Sequence, residues 1–153
     1  MKILSVATNN RAKGFEVQTE RGTFAFPYAK LENRPTRDNR VLDVYPDPEL
    51  GMEGFTYLLE SGAEETVHGD AVLEYNRDPG YLNEVLLHSL TVQAVRALEE
   101  SELSKRELIR RLHTSPSQFY RLLDHAYYGK SVGQMLALLH LLGMEVDLVV
   151  QRR

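Results

Sequence analysis

The rhythm of hydrophobic and polar positions changes near residue 80. Before that point, apolar and polar residues alternate in runs of five or six, the period of a half-buried strand. "ILSVAT" (3–8), "FEVQTE" (15–20), "TFAFPY" (23–28), "VLDVYP" (41–46), "FTYLLE" (55–60) and "ETVHG" (65–69) read as strands rich in β-branched and aromatic residues. "AVLEYN" (71–76) reads as the last of them. Glu20-Arg21-Gly22 and Ser61-Gly62-Ala63 supply hairpin turns. "ENRPTRDNR" (32–40) is polar and broken by Pro, hence a loop, and "DPELGMEG" (47–54) is turn material. "RDPGYL" (77–82) ends the alternation and marks a module boundary.

From Leu82 the period lengthens to about 3.6. Leu82, Val85, Leu86, Leu90, Val92, Val95 and Leu98 predict an amphipathic helix over 82–102. Three more helices are announced by capping boxes: Ser104-x-x-Glu107, Ser115-x-x-Gln118 with Pro116 at the first helical position, and Ser131-x-x-Gln134. Each box precedes apolar spacing, and Gly143 stands where the last helix must stop. "EVDLVVQ" (145–151) then reads as a closing strand. The expected fold class is α+β: an antiparallel β-rich module over 1–80, then a module of four helices and a C-terminal strand over 81–153.

Composition changes this picture at a few points. The chain has no cysteine, which excludes disulfides and Cys-based zinc sites. No apolar run is long enough for a membrane span, and a cytoplasmic protein is expected. The net charge of −4 hides a partition. Residues 1–103 hold 10 Lys/Arg against 18 Asp/Glu, and residues 104–153 hold 8 against 4. An acidic front and a basic back point to modules with different partners. No nucleophile elbow, Gly-rich phosphate loop or catalytic Cys is present, so an enzyme and a cofactor are not expected. His68 and Asp70 lie two apart but read as surface residues, and no metal is expected.

The segment "LSKRELIRRLHTSPSQFYRLLD" (103–124) concentrates the candidate chemistry. Its two helices, 104–112 and 115–124, are too short to stand alone and must pack on each other and on neighbours. A link as short as His113-Thr114 forces a steep crossing, the geometry of a helix-turn-helix. The leucines and Phe119 account for the inward faces. The outward faces carry Lys105, Arg106, Arg110 and Arg111, then Ser117, Gln118, Tyr120 and Arg121. Arg can grip a guanine edge and Gln an adenine edge with paired hydrogen bonds, while Lys and Arg suit phosphates.

These residues, with "GKSVGQMLALLHLLGMEVDLVV" (129–150) after them, resemble the Cro/cI-type (Xre) helix-turn-helix of phage repressors and bacterial regulators, including many antitoxins. The resemblance covers the last third of the chain, or half of it with helix 82–102 as the family's first helix. It implies that Lys105 touches phosphate or an outer base. Ser115, Ser117 and Gln118 begin the recognition helix under the same reading, and Arg121 reaches base edges one turn on. Tyr128 and Lys130 fall in the following loop, where backbone contacts are usual. The chain departs from the family pattern at His113, where Gly is usual, at Ile109 in place of a small Ala, and at Pro116, a position that often bears a base-reading Gln. The implied function is sequence-specific binding of a double-stranded DNA operator by a homodimer, as a transcriptional regulator or an autoregulatory antitoxin with a toxin protein as partner. The alternative is a protein-binding scaffold whose acidic module neutralises a basic partner without DNA.

Overall fold

Six antiparallel strands and five α-helices form in the computed structural model, which describes residues 1–152. The chain divides into two units, Met1–Tyr81 and the remainder from Leu82.

The first unit is built from two three-stranded meanders. Strands β1 (Ile3–Asn9), β2 (Gly14–Thr19) and β3 (Gly22–Pro27) make one sheet, and β4 (Val41–Pro46), β5 (Gly54–Leu59) and β6 (Glu64–His68) make the other. Both predicted hairpin turns join consecutive strands. The inward-pointing residues of the central strands lock the sheets together: the Phe15 ring lies 5.1 Å from Phe55, 5.2 Å from Tyr57 and 5.1 Å from Tyr28. Ring pairs at such spacings add to the apolar burial that holds a sandwich-like core. Register shifts near the starts of β1 and β4 interrupt the alternation, and Leu4 and Leu42 face solvent there.

Helix α1 (Gly69–Asn76) closes this unit and corrects the expected strand 71–76. Gly69, Val72 and Leu73 are buried, the i, i+3, i+4 spacing of one helix face. Asn76 Nδ2 donates to the Val72 carbonyl one turn back and to the Ala25 carbonyl of β3. Arg77, with φ +54°, ends the helix in the left-handed region.

Helix α2 (Pro79–Glu99) begins earlier than its periodicity predicts. Asp78 Oδ2 accepts from the Tyr81 N–H at 2.9 Å and Pro79 takes the first turn, so "RDPGYL" starts a helix as well as ending the strands. Its buried face is also corrected. Leu87, Leu90, Thr91, Ala94 and Ala97 point into the core, while Leu82, Val85 and Leu86 are exposed. The second unit's core joins Leu87, Leu90 and Ala94 to Leu108, Phe119, Leu122, Met135, Leu138 and Leu139. These come from α3 (Lys105–Arg111), α4 (Pro116–Leu122) and α5 (Val132–Leu141). The predicted strand 145–151 is not formed: residues 144–152 have no regular structure, and Leu148, Val149 and Val150 are exposed.

Candidate nucleic-acid interface

Helices α3 and α4 owe their start points to serines. Ser104 Oγ accepts from the Glu107 N–H at 3.1 Å, and Ser115 Oγ from the Gln118 N–H at 3.2 Å. The full reciprocal box forms only at α5, where Ser131 and Gln134 exchange both bonds. At α3 the Glu107 carboxylate turns instead to Arg110 and Arg111, and at α4 the Gln118 Oε1 accepts from the Thr114 hydroxyl at 2.9 Å.

The turn between the two helices is a Schellman closure. The His113 N–H donates to the Arg110 carbonyl and the Thr114 N–H to the Ile109 carbonyl, with His113 at φ +53°. The residue that departs from the family's glycine thus adopts the left-handed conformation that glycine favours. Helix α5 ends in the same way, with Gly143 at φ +78° and the Met144 N–H donating to the Leu139 carbonyl.

With Leu108, Phe119 and Leu122 turned into the core, the opposite faces are left to polar residues. Lys105, Arg106, Ser115, Ser117, Gln118, Tyr120, Arg121 and Tyr128 are all exposed. The Lys105 ammonium sits 5.6 Å from the centre of the Tyr120 ring, and the Arg121 guanidinium 5.6 Å from that of Tyr127. Aromatic rings so placed hold the long cationic side chains against the helices. A small cleft of about 210 Å³ opens between Gln118, Arg121, Tyr127 and Gln134, joining α4 to the start of α5.

Two expected contacts have other work. Arg110 is exposed, but its guanidinium forms a fork with Glu107, at 3.1 Å through Nε and 2.5 Å through a terminal nitrogen. Arg111 donates to the same carboxylate at 2.9 Å. The hydrogen bonds from Arg110 and then Arg111 hold Glu107 down to about 2, so it stays charged and offsets one of its arginines. Lys130 is a clear correction. It is buried, and its ammonium donates to the carbonyls of Arg121, Leu122 and Asp124, at 3.4, 3.0 and 2.8 Å. Burial pushes this lysine below its ordinary value, against the opposing pull of Asp124. It satisfies the loose carbonyl end of α4 and is not available to a phosphate.

What remains is a surface with three cations, Lys105, Arg106 and Arg121, that have no carboxylate partner among the described residues. Beside them stand the hydrogen-bonding side chains of Ser117, Gln118 and Tyr120. The class defined here is a two-unit α+β protein whose helical unit presents two short capped helices joined by a tight turn. No family model, curated protein or solved structure matches the chain. Among the described residues no group of three His, Asp or Glu side chains is gathered for a metal ion, and no helix is long and apolar enough to cross a membrane.

Proposed function

We propose that the helical unit is a sequence-specific DNA-binding domain and that the protein is a transcriptional regulator. In this reading α4 lies in the major groove. Ser117, Gln118 and Arg121 meet base edges, and Lys105, Arg106 and Tyr128 meet the backbone. The observation that carries it is the conformation of His113. A Schellman turn at that residue leaves only two residues, Thr114 and Ser115, before α4 begins, and it does so while Leu108 and Phe119 share one core. That arrangement keeps the polar faces of both helices outward and close together. The resemblance to Xre-type regulators supports the same reading.

Single units of this size bind weakly, and two-fold dimers reading half-sites one turn apart are the usual arrangement. We place the dimer contact on the exposed apolar segment around Leu148–Val150 or on Leu82, Val85 and Leu86 of α2. An autoregulatory antitoxin is the narrower form of the proposal, with the acidic first unit facing a basic toxin.

The test is a gel-shift series with the DNA upstream of the coding region at increasing salt. Binding should weaken linearly on a log–log plot. Arg121→Ala should cost about 1–3 kcal/mol and relax base preference, whereas Lys105→Ala should weaken all sequences alike and lower the salt slope by about one unit. A flat salt response, or full affinity after Arg121→Ala, would remove the proposal. Recovery of a basic protein partner with no DNA retained would favour the scaffold alternative.

A further inference from the structure

The first unit holds an open cleft of about 430 Å³ that the DNA-binding reading does not use. It is lined by Asn10 and Lys13 of the β1–β2 turn, by the largely buried Tyr28, and by Pro35, Thr36, Arg37 and Arg40 of the loop after β3. Every lining residue comes from the first unit. The volume falls in the range of small-molecule sites, roughly 300–1,000 Å³.

The walls are fixed although they lack regular structure. The Glu65 carboxylate accepts from the Glu32 N–H at 3.1 Å, from the Asn33 N–H at 2.8 Å and from the Tyr57 hydroxyl. That network ties the base of the loop to β5 and β6. Nearer its end, Asn39 donates to the Ser61 hydroxyl at 3.0 Å and accepts from the Ser61 N–H at 2.9 Å. On the facing turn, Asn9 Oδ1 accepts from the Ala12 N–H, and Lys13 stands at φ +52°, a conformation uncommon for a side-chain-bearing residue. The Lys13 carbonyl accepts from the Tyr28 N–H, and the Tyr28 hydroxyl donates to Asn10 Oδ1 at 2.8 Å, which leaves the Asn10 amide nitrogen as a donor.

Charge makes the cleft selective. The unit is acidic, with 9 Lys/Arg and 14 Asp/Glu over residues 1–81, yet three of those cations line one cavity. Arg40 pairs with Glu60 through Nε at 2.8 Å and keeps its other donors. Lys13 and Arg37 meet no carboxylate within ion-pair distance among the described residues. Two unpaired cations, an amide donor and a threonine hydroxyl on pinned loops, with Tyr28 and Pro35 beside them, are a receptor for anionic oxygens next to a small apolar body.

We infer that this cleft binds a small anionic molecule, its phosphate or carboxylate oxygens gripped by Lys13 and Arg37 and its body lying on Tyr28 and Pro35. The inference stands whether or not the second unit meets DNA. The test titrates the full-length protein, followed by amide NMR, with three probes: inorganic phosphate, adenosine 5′-monophosphate and benzoate, each against sodium chloride of equal ionic strength. At least one probe should give saturable shifts confined to residues 10–13 and 35–40. Phosphate and the nucleotide binding together would identify the ligand as a phosphate compound, and benzoate alone as a carboxylate. The Lys13→Ala/Arg37→Ala variant should bind roughly a hundredfold more weakly, about tenfold for each charged hydrogen-bond donor lost. Arg11→Ala, which removes an exposed cation on the same turn outside the cleft, should bind as the parent does. The inference is overturned if none of the probes saturates at millimolar concentration, if chloride reproduces the shifts, or if the double variant keeps the parent's affinity.

Discussion

At the scale of single residues, Lys130 and Glu107 show how partners decide what a charge can do. Both are charged groups on the helical unit, but one is buried against carbonyls and the other is bound between guanidinium groups. Replacing Lys130 with Met leaves the carbonyls of Leu122 and Asp124 without their donor. The expected cost is about 1–3 kcal/mol of stability in urea unfolding. DNA affinity of the folded protein should hardly change, and a large loss with stability intact would restore Lys130 to the interface. Glu107 has the opposite signature. Its proton affinity is lowered in the folded state, so its contribution to stability is present above its ordinary value near 4.5 and fades as the pH falls toward about 2. Glu107→Gln should therefore be slightly less stable than the parent at neutral pH and match it at the acid end. The same change frees Arg110 and Arg111, so DNA binding should tighten. Weaker binding by Glu107→Gln would show that the acid positions its arginines for DNA. The spacing of Glu107 to Arg110 and Arg111 is a helical ion-pair spacing, but the burial of Lys130 was hidden, since a lysine two residues past Tyr128 looks like any loop cation. The only hint was its place shortly after a helix end, where cations cap carbonyls.

At the scale of elements, legibility followed how local the determining signal was. β4 was read to the residue because alternation and the flanking turn residues lie within the segment itself. The Ser caps of α3, α4 and α5 were equally local, and so was the stop at Gly143. The segment 71–76 failed because Ala71, Leu73 and Tyr75 alternate as in a strand while Gly69, Val72 and Leu73 share one face of a helix; burial against β3 and β6 chose the helix. The face of α2 failed because its first turns are apolar on more than one side. The buried stripe runs through Thr91, Ala94 and Ala97, residues too small or too polar to stand out in a hydrophobic pattern. Strand 145–151 failed for a different reason, since a strand needs a partner edge and local alternation cannot provide one. The turn at His113 offers a sharp check at this scale. A left-handed residue with a β-carbon carries a conformational cost that glycine avoids, partly offset by glycine's greater freedom when unfolded. His113→Gly should raise stability by about 0.5–1 kcal/mol in denaturant titration. A loss of stability would mean that the imidazole makes a compensating contact.

At the scale of the whole molecule, the two hydrophobic clusters share no residue. One runs from Ile3 to Val72 and centres on Phe15, Phe55 and Tyr57; the other runs from Leu87 to Leu139 and centres on Leu108, Phe119 and Met135. The charge does not divide at the same place: residues 1–81 hold 9 Lys/Arg against 14 Asp/Glu and residues 82–153 hold 9 against 8, the excess of cations lying in 104–153. Each unit thus has its own source of stability, and the two binding proposals fall on different units. Phe119 is fully buried between α3, α4 and α5, so Phe119→Ala should cost about 3–5 kcal/mol and fall on the helical unit. DNA retention should be lost, while amide signals of residues 10–40 and the anion titration stay as in the parent. Phe15→Ala, in the ring cluster of the first unit, should have the reverse effect. A single cooperative collapse of both sets of signals in either variant would show that the units depend on each other for folding. Separate losses would establish that one chain holds two cores, each supporting a site with its own chemistry: bases and phosphates of a duplex for the helical unit, a small anion for the β-rich one.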